Sequence, residues 1–198
     1  MKDRAHATVL LRSRKPAIAL VFLCAALTLT ACGSSDGDSR DQTEETPTPT
    51  RESTAPADPQ AVAKKEAIST YQAYWKEMEK LYADPTGKSA YLGRYAASAA
   101  LKNAEADAKR AHDRGRIYTG SVALTDQTVT KVDVSGKIPN ATVSSCLDIS
   151  KWRRVDAETK KPVPQPENRL TKYLIVSVVE KYPEGWRVIR DEPQGKSC

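Results

Sequence analysis

Any chemistry this 198-residue chain performs must draw on two histidines, four cysteines and 25 carboxylates. Zinc and copper sites need several His or Cys side chains at ligand spacing. His6 and His112 are far apart, neither has a Cys at such a spacing, and no motif sets a Ser or Cys nucleophile beside either. His112, near the end of a helical stretch, reads as a cation on the helix dipole. Among the carboxylates, Asp133 and Asp148 fall in β-branched runs, where a desolvated aspartate would acquire a raised pKa suited to proton transfer. Alternation places Asp133 with Lys131, opposite Val132 and Val134, and so toward solvent. Asp148 shares a face with Cys146 and is expected to bond a loop or pair with Arg153 or Arg154. No catalytic constellation, metal or cofactor is expected on these residues.

The aromatic side chains say more. Tyr71, Tyr74, Trp75, Tyr95, Trp152, Tyr173 and Trp186 are amphipathic rings, and the sole phenylalanine, Phe22, lies in the N-terminal apolar run. Rings of this kind ordinarily build core; converging at the open end of a sheet they would line a pocket for an apolar or glycan ligand. Lys151, Arg153 and Arg154 flank Trp152, with Lys160 and Lys161 on the following loop. This basic patch is either a solvated hairpin surface or a contact for anionic wall polymer, lipid headgroups or an acidic envelope protein.

The first 31 residues carry an address. After Lys2, Arg4, Arg12, Arg14 and Lys15, the segment Ala17 to Ala31 is uncharged and apolar, the layout of a signal peptide. It is about 15 residues long, short of the roughly 20 that span a bilayer. It ends in Leu29-Thr30-Ala31-Cys32-Gly33, which resembles the lipobox of bacterial lipoproteins. The resemblance implies cleavage before Cys32, lipidation of its thiol, and anchoring on the outer face of the membrane. Five of the 31 basic residues and one of the 25 acidic ones lie in the signal, so the net charge of +6 falls to +2 without it. The basic balance is then no argument for a nucleic-acid partner. Cys24 would leave with the signal and Cys32 would take the lipid. Cys146 and Cys198 remain, and outside the cytoplasm such a pair closes as a disulfide.

Residues 32–57, rich in Ser, Thr, Pro and acid, contain no large apolar side chain and read as a disordered tether. The single domain expected over 58–198 opens with Asp58-Pro59, an N-cap and first helical residue. Ala67, Ile68, Tyr71, Tyr74, Trp75, Met78, Leu81 and Tyr82 then recur by threes and fours, up to the turn Asp84-Pro85-Thr86-Gly87. A second helix carries Leu101, Ala104, Ala108 and Ala111 on one stripe and stops at Gly115. Beyond Gly120 the period becomes two, with strands over Val122 to Val134, Ala141 to Ile149, Trp152 to Val155, Tyr173 to Tyr182 and Trp186 to Ile189.

Helices followed by antiparallel strands make an α+β order. The order resembles the nuclear-transport-factor-2-like (NTF2-like) cone, in which a curved sheet wraps a long N-terminal helix around a pocket. The lipobox, the tether, Tyr71-x-x-Tyr74-Trp75, Asp84-Pro85-Thr86-Gly87 and Cys146-Leu147-Asp148-x-Ser150-x-Trp152 are together similar to the secreted lipoproteins of actinobacteria that carry this fold. The resemblance implies shape more than activity; the lipobox, the spacer and the missing catalytic constellation point to a non-enzymatic binding or accessory module of the cell envelope, its small-molecule ligand unspecified. Cone-shaped cyclases and isomerases, which use a cavity Asp or Tyr as acid or base, set the alternative, and a structural envelope module that docks other proteins is a third.

Overall fold

The computed structural model describes residues 57–198. The signal, Cys32 and all but the last residue of the tether lie outside them. Among the described residues no helix is long and apolar enough to cross a membrane.

Helix α1 spans Pro59–Ala83. Asp58 caps it, accepting from the Gln60 N–H at 3.0 Å with Pro59 at the first helical position. At its far end the Asp84 carboxylate collects the Thr86 and Ser89 N–H groups and the Thr86 hydroxyl. These bonds, those from Thr86 foremost, hold its pKa far below the usual range. Ala63, Ala67, Tyr71, Tyr74, Trp75, Met78 and Tyr82 are buried on one face, the stripe that spacing by threes and fours dictates. After a 3-10 turn at Leu92–Arg94, helix α2 (Ser98–His112) buries Ala100, Ala104 and Ala108. These side chains are small enough to bring the helix close against its neighbours.

Six strands follow: β1 Arg116–Thr119, β2 Ala123–Asp133, β3 Asn140–Asp148, β4 Arg153–Asp156, β5 Lys172–Tyr182 and β6 Gly185–Pro193. They form two antiparallel sheets, with β2-β3-β5-β6 in one and β1-β4 in the other. The α+β class is as expected, but the single sheet is not. Four-residue β1, over Arg-Ile-Tyr-Thr, is too short to register as a period-two run, and its pairing with β4 draws that strand out of the main sheet. Gly120 makes the turn from β1 to β2 possible. Its φ is +89°, and a Cβ there would stand 2.0 Å from the Lys151 carbonyl oxygen.

The inner face of the four-stranded sheet is set by alternation: Ala141, Val143, Ser145 and Leu147 on β3, with Ile175, Ser177 and Val179 on β5. Register shifts in β2 and between β5 and β6 bend the sheet over α1. On β6 the shift also changes which residues face inward. Val179 pairs with Val188, but Val178 pairs with Arg190, so Ile189 is an extra residue. Strict alternation from Trp186 and Val188 would send Arg190 inward. The bulge instead sets Asp191 opposite Ser177 on the inner face.

Cys146, 3% exposed on the outer face of β3, is bonded to Cys198.

Candidate functional site

Two of the five polar groups that α1 and the inner face of the sheet bring together are tyrosines of the helix. Tyr71 is fully buried, and its hydroxyl accepts from Ser145 Oγ at 3.3 Å. Tyr74 lies one turn on, their rings 6.3 Å apart. Across from them the Ser177 hydroxyl donates to Asp191 Oδ1 at 2.5 Å. Asp191 keeps some accessible surface as a residue, but its carboxyl group is ringed by protein, and that local enclosure governs its titration.

Burial pushes the Asp191 carboxyl up to about 7. The Ser177 hydroxyl, then those of Tyr71 and Tyr74, hold it from rising further, while Glu192 pushes the same way as burial. Burial, and after it the Asp191 charge, lifts both tyrosines well above the ordinary phenol value. The cluster therefore holds one proton that it exchanges near neutrality, and two phenols that keep theirs. Replacing Ser177 by alanine removes the strongest of the bonds to the carboxylate, so the Asp191 midpoint should rise above its wild-type value. Carbon-13 NMR of the aspartate carboxyl reads this directly, and an unchanged or lower midpoint would refute the arrangement.

Asp191 opens on a cavity of about 290 Å³ between α1, α2 and the ends of β5 and β6. Trp75, Met78, Ala100 and Ile175 give it apolar walls, and Asn103, Asp107, Tyr173, Arg190 and Glu192 bring polar groups to the same space. Trp75 has its indole N–H buried without a partner. A larger concavity, about 570 Å³, lies between the end of α1 and Tyr91–Tyr95. Of its two acids, Glu77 is held by Lys80 Nζ at 2.6 Å and the Tyr91 N–H at 2.7 Å, and Glu105 is exposed. These partners outweigh the burial that would raise the Glu77 pKa and lower it instead.

Tyr71, Tyr74, Trp75 and Tyr173 are thus gathered around Asp191, whereas the other aromatic residues are spread elsewhere. Trp152 fills core, edge-on to Trp75 at 6.2 Å and to Tyr82 at 5.0 Å, and tilted over Tyr118 at 4.7 Å. Tyr95 lines the larger concavity under Arg94. Trp186 donates to Glu66 at 2.7 Å at the far end of α1, where Lys181 also reaches the carboxylate at 3.2 Å. The basic run divides as well. Lys151 and Arg153 are exposed, Lys160 Nζ turns back to the Ala157 carbonyl at 2.6 Å, and Lys161 is exposed. Arg154 points the other way, to the Pro164 carbonyl at 2.9 Å.

Neither of the two aspartates singled out by spacing enters the cavity. Asp133 accepts from the Ser135 and Gly136 N–H groups at 3.0 Å, and Asp148 from the Ser150 N–H at 2.8 Å. In both, hydrogen bonds from the following serine lower the pKa. Asp148 serves its own turn rather than Arg153 or Arg154. Among the described residues there is no group of three or more His, Cys, Asp or Glu side chains able to hold a metal ion.

No protein-family model and no curated protein matches the chain. Among solved structures it is similar to the intermembrane space region of the chloroplast protein ARC6, at 15% identity and a TM-score of 0.46, over 70% of this chain and 98% of that one. A likeness that loose carries no functional argument.

Proposed function

We propose that this chain is a lipoprotein anchored through Cys32 to the outer face of a bacterial membrane. Its α+β unit, an NTF2-like cone on a disordered tether, is a non-enzymatic binding or accessory module of the envelope. The anchor rests on Leu29-Thr30-Ala31-Cys32 after an uncharged apolar run behind a basic start. The binding role rests on one observation above the rest, a carboxyl group that titrates near neutrality at the edge of a small cavity with mixed polar and apolar walls.

The chemistry of that cavity sets the ligand class. Below about pH 7 Asp191 is a neutral acid with a proton to donate. One donor against apolar walls suits a small neutral molecule with a carbonyl or hydroxyl oxygen. An anionic ligand would meet Asp107 and Glu192 against a single cation, Arg190, and is disfavoured.

The same carboxyl favours a second reading, a small cyclase- or isomerase-like enzyme in which Asp191 shuttles a proton and Tyr71 or Tyr74 supports it. Native mass spectrometry of the chain purified from its own envelope tests both. A discrete bound mass that is lost in Asp191→Asn supports the binding module, and its release unchanged after prolonged incubation counts against the enzyme. A bare mass refutes a tight small-molecule ligand, and a ligand whose mass changes with time establishes turnover. The same spectrum checks the anchor, since the acylated species lacks residues 1–31 and carries lipid mass on Cys32.

A further inference from the structure

Four arginines from different parts of the chain meet at a third cavity, about 240 Å³ in volume. Arg110 comes from the last turn of α2, Arg114 from the turn after it, Arg116 from β1 and Arg154 from β4, over a floor that includes Tyr82 and Tyr118. In sequence these residues span 45 positions with no common motif. Only the antiparallel pairing of β1 with β4, which sets Tyr118 opposite Arg154, and the packing of α2 bring them together.

Their charges are poorly compensated. Arg110 is paired with Asp107, the one acid lining the cavity. Arg114, Arg116 and Arg154 form no ion pair among the described residues. Asp156 stands opposite Arg116 in register, but its carboxylate is turned into the following loop, where it accepts from the Thr159 N–H and hydroxyl at 2.8 Å. Arg154 donates one Nη to the Pro164 carbonyl, and its Nε is buried with no partner. The dipole at the end of α2 accounts for Arg110 but not for cations delivered by two strands.

We propose that this cavity is a binding site for a phosphoryl group. Guanidinium forks donate pairs of parallel hydrogen bonds to oxyanions. Forks arriving from a helix end and two strands approach from several directions, as the oxygens of a tetrahedral group require. A planar carboxylate, with two oxygens, would leave part of the set unused. The bound group would also relieve the mutual repulsion of the cluster. This site shares Tyr82 and Asp107 with the Asp191 cavity but does not include the Asp191 carboxyl, and its arginines serve it whether or not that cavity binds a neutral ligand.

The test is calorimetric titration of the full chain in neutral detergent with three probes: inorganic phosphate, glycerophosphoglycerol and acetate. We expect saturable binding of a phosphate compound, with acetate weaker by about tenfold because it engages fewer forks. Tighter binding of inorganic phosphate points to a soluble phosphorylated ligand, and tighter binding of the diester to a phospholipid headgroup. Arg116→Gln with Arg154→Gln should cost at least about tenfold. Exposed Arg114→Gln, which leaves the fold alone, should cost about threefold. Lys160→Gln with Lys161→Gln removes two positive charges outside the cavity and should leave the affinity unchanged. Absence of saturation with both phosphate compounds, equal affinity for acetate, or an equal loss in the lysine variant overturns the proposal.

Discussion

Cys198→Ser should lower the stability of the folded unit by about 4 kcal/mol, the chain-entropy value for a crosslink between residues 52 apart. Cys198 is exposed at the end of the chain, so the substitution deletes the bridge without placing a hydroxyl in the core. Cys146→Ser would do both, since Cys146 is buried on β3, and should be the more damaging. The bridge also pins the last residues against β5, where the Leu174 N–H donates to the Lys196 carbonyl at 2.8 Å and the Gln194 N–H to the Leu174 carbonyl at 2.9 Å. With the bridge gone, these amides should exchange with solvent first. Denaturant unfolding of the oxidised wild type, the reduced wild type and Cys198→Ser checks the expectation. The last two should share a midpoint well below the first, and coincidence of all three would show that the bridge contributes nothing.

What could be read from the chain beforehand divides along physical lines. Local signals held where a local interaction makes the element. Asp58-Pro59 starts α1, the Asp84-Pro85-Thr86-Gly87 turn ends it, and Gly115, with φ of +65°, stops the chain after α2. Side-chain spacing fixed the buried stripe of α1 for the same reason. Ile68 and Leu81, at its margins, are only half-buried. Cys146 and Cys198, the two thiols left on the expectation that Cys24 leaves with a signal and Cys32 takes a lipid, are joined in the bridge.

The candidate site was legible only in half. Tyr71, Tyr74, Trp75 and Tyr173 announce themselves by ring chemistry and helical spacing. Their acid does not, because β6 alternation puts Trp186, Val188 and Arg190 on one face and sends Asp191 out to solvent. A single extra residue, Ile189, reverses that assignment after Val188, and no residue type in Arg187-Val188-Ile189-Arg190 marks a bulge. The arginine cavity was hidden differently. Arg154 reads as part of a linear basic run with Arg153, but neighbours on a strand face opposite ways. Its partners Arg110, Arg114 and Arg116 are assembled by tertiary packing, which spacing along the chain does not encode. Trp152 and Tyr95 looked like pocket residues because a ring that lines a cavity and a ring that fills a core have the same sequence pattern.

Asp191→Asn should separate the titration of this one group from that of all others. In the unfolded chain the carboxyl ionises near 3.8, and in the folded one near 7. Between those values the native state holds a proton that the unfolded state has lost, so stability falls as pH rises. The contribution is fully present below about pH 4 and gone above about pH 7. Three pH units at about 1.36 kcal/mol each set an upper limit of about 4 kcal/mol, and relaxation of the surroundings around the charged carboxylate brings the expected loss to about 3 kcal/mol. Asparagine is neutral in both states and can still accept from Ser177. The variant should therefore match the wild type near pH 4 and exceed it by about 3 kcal/mol near pH 8. The lowered carboxylates Glu66, Glu77, Asp84, Asp133, Asp148 and Asp156 act in the opposite direction, adding stability that is lost as pH falls. They are common to both proteins and cancel in the difference. A gap that does not change from pH 4 to pH 8 would show that Asp191 ionises as an ordinary surface carboxyl. A gap that opens with pH carries a functional corollary: the fold tolerates a weakened state at neutrality to keep an acid at the cavity, and a ligand that accepts its proton should bind more weakly as pH rises past 7.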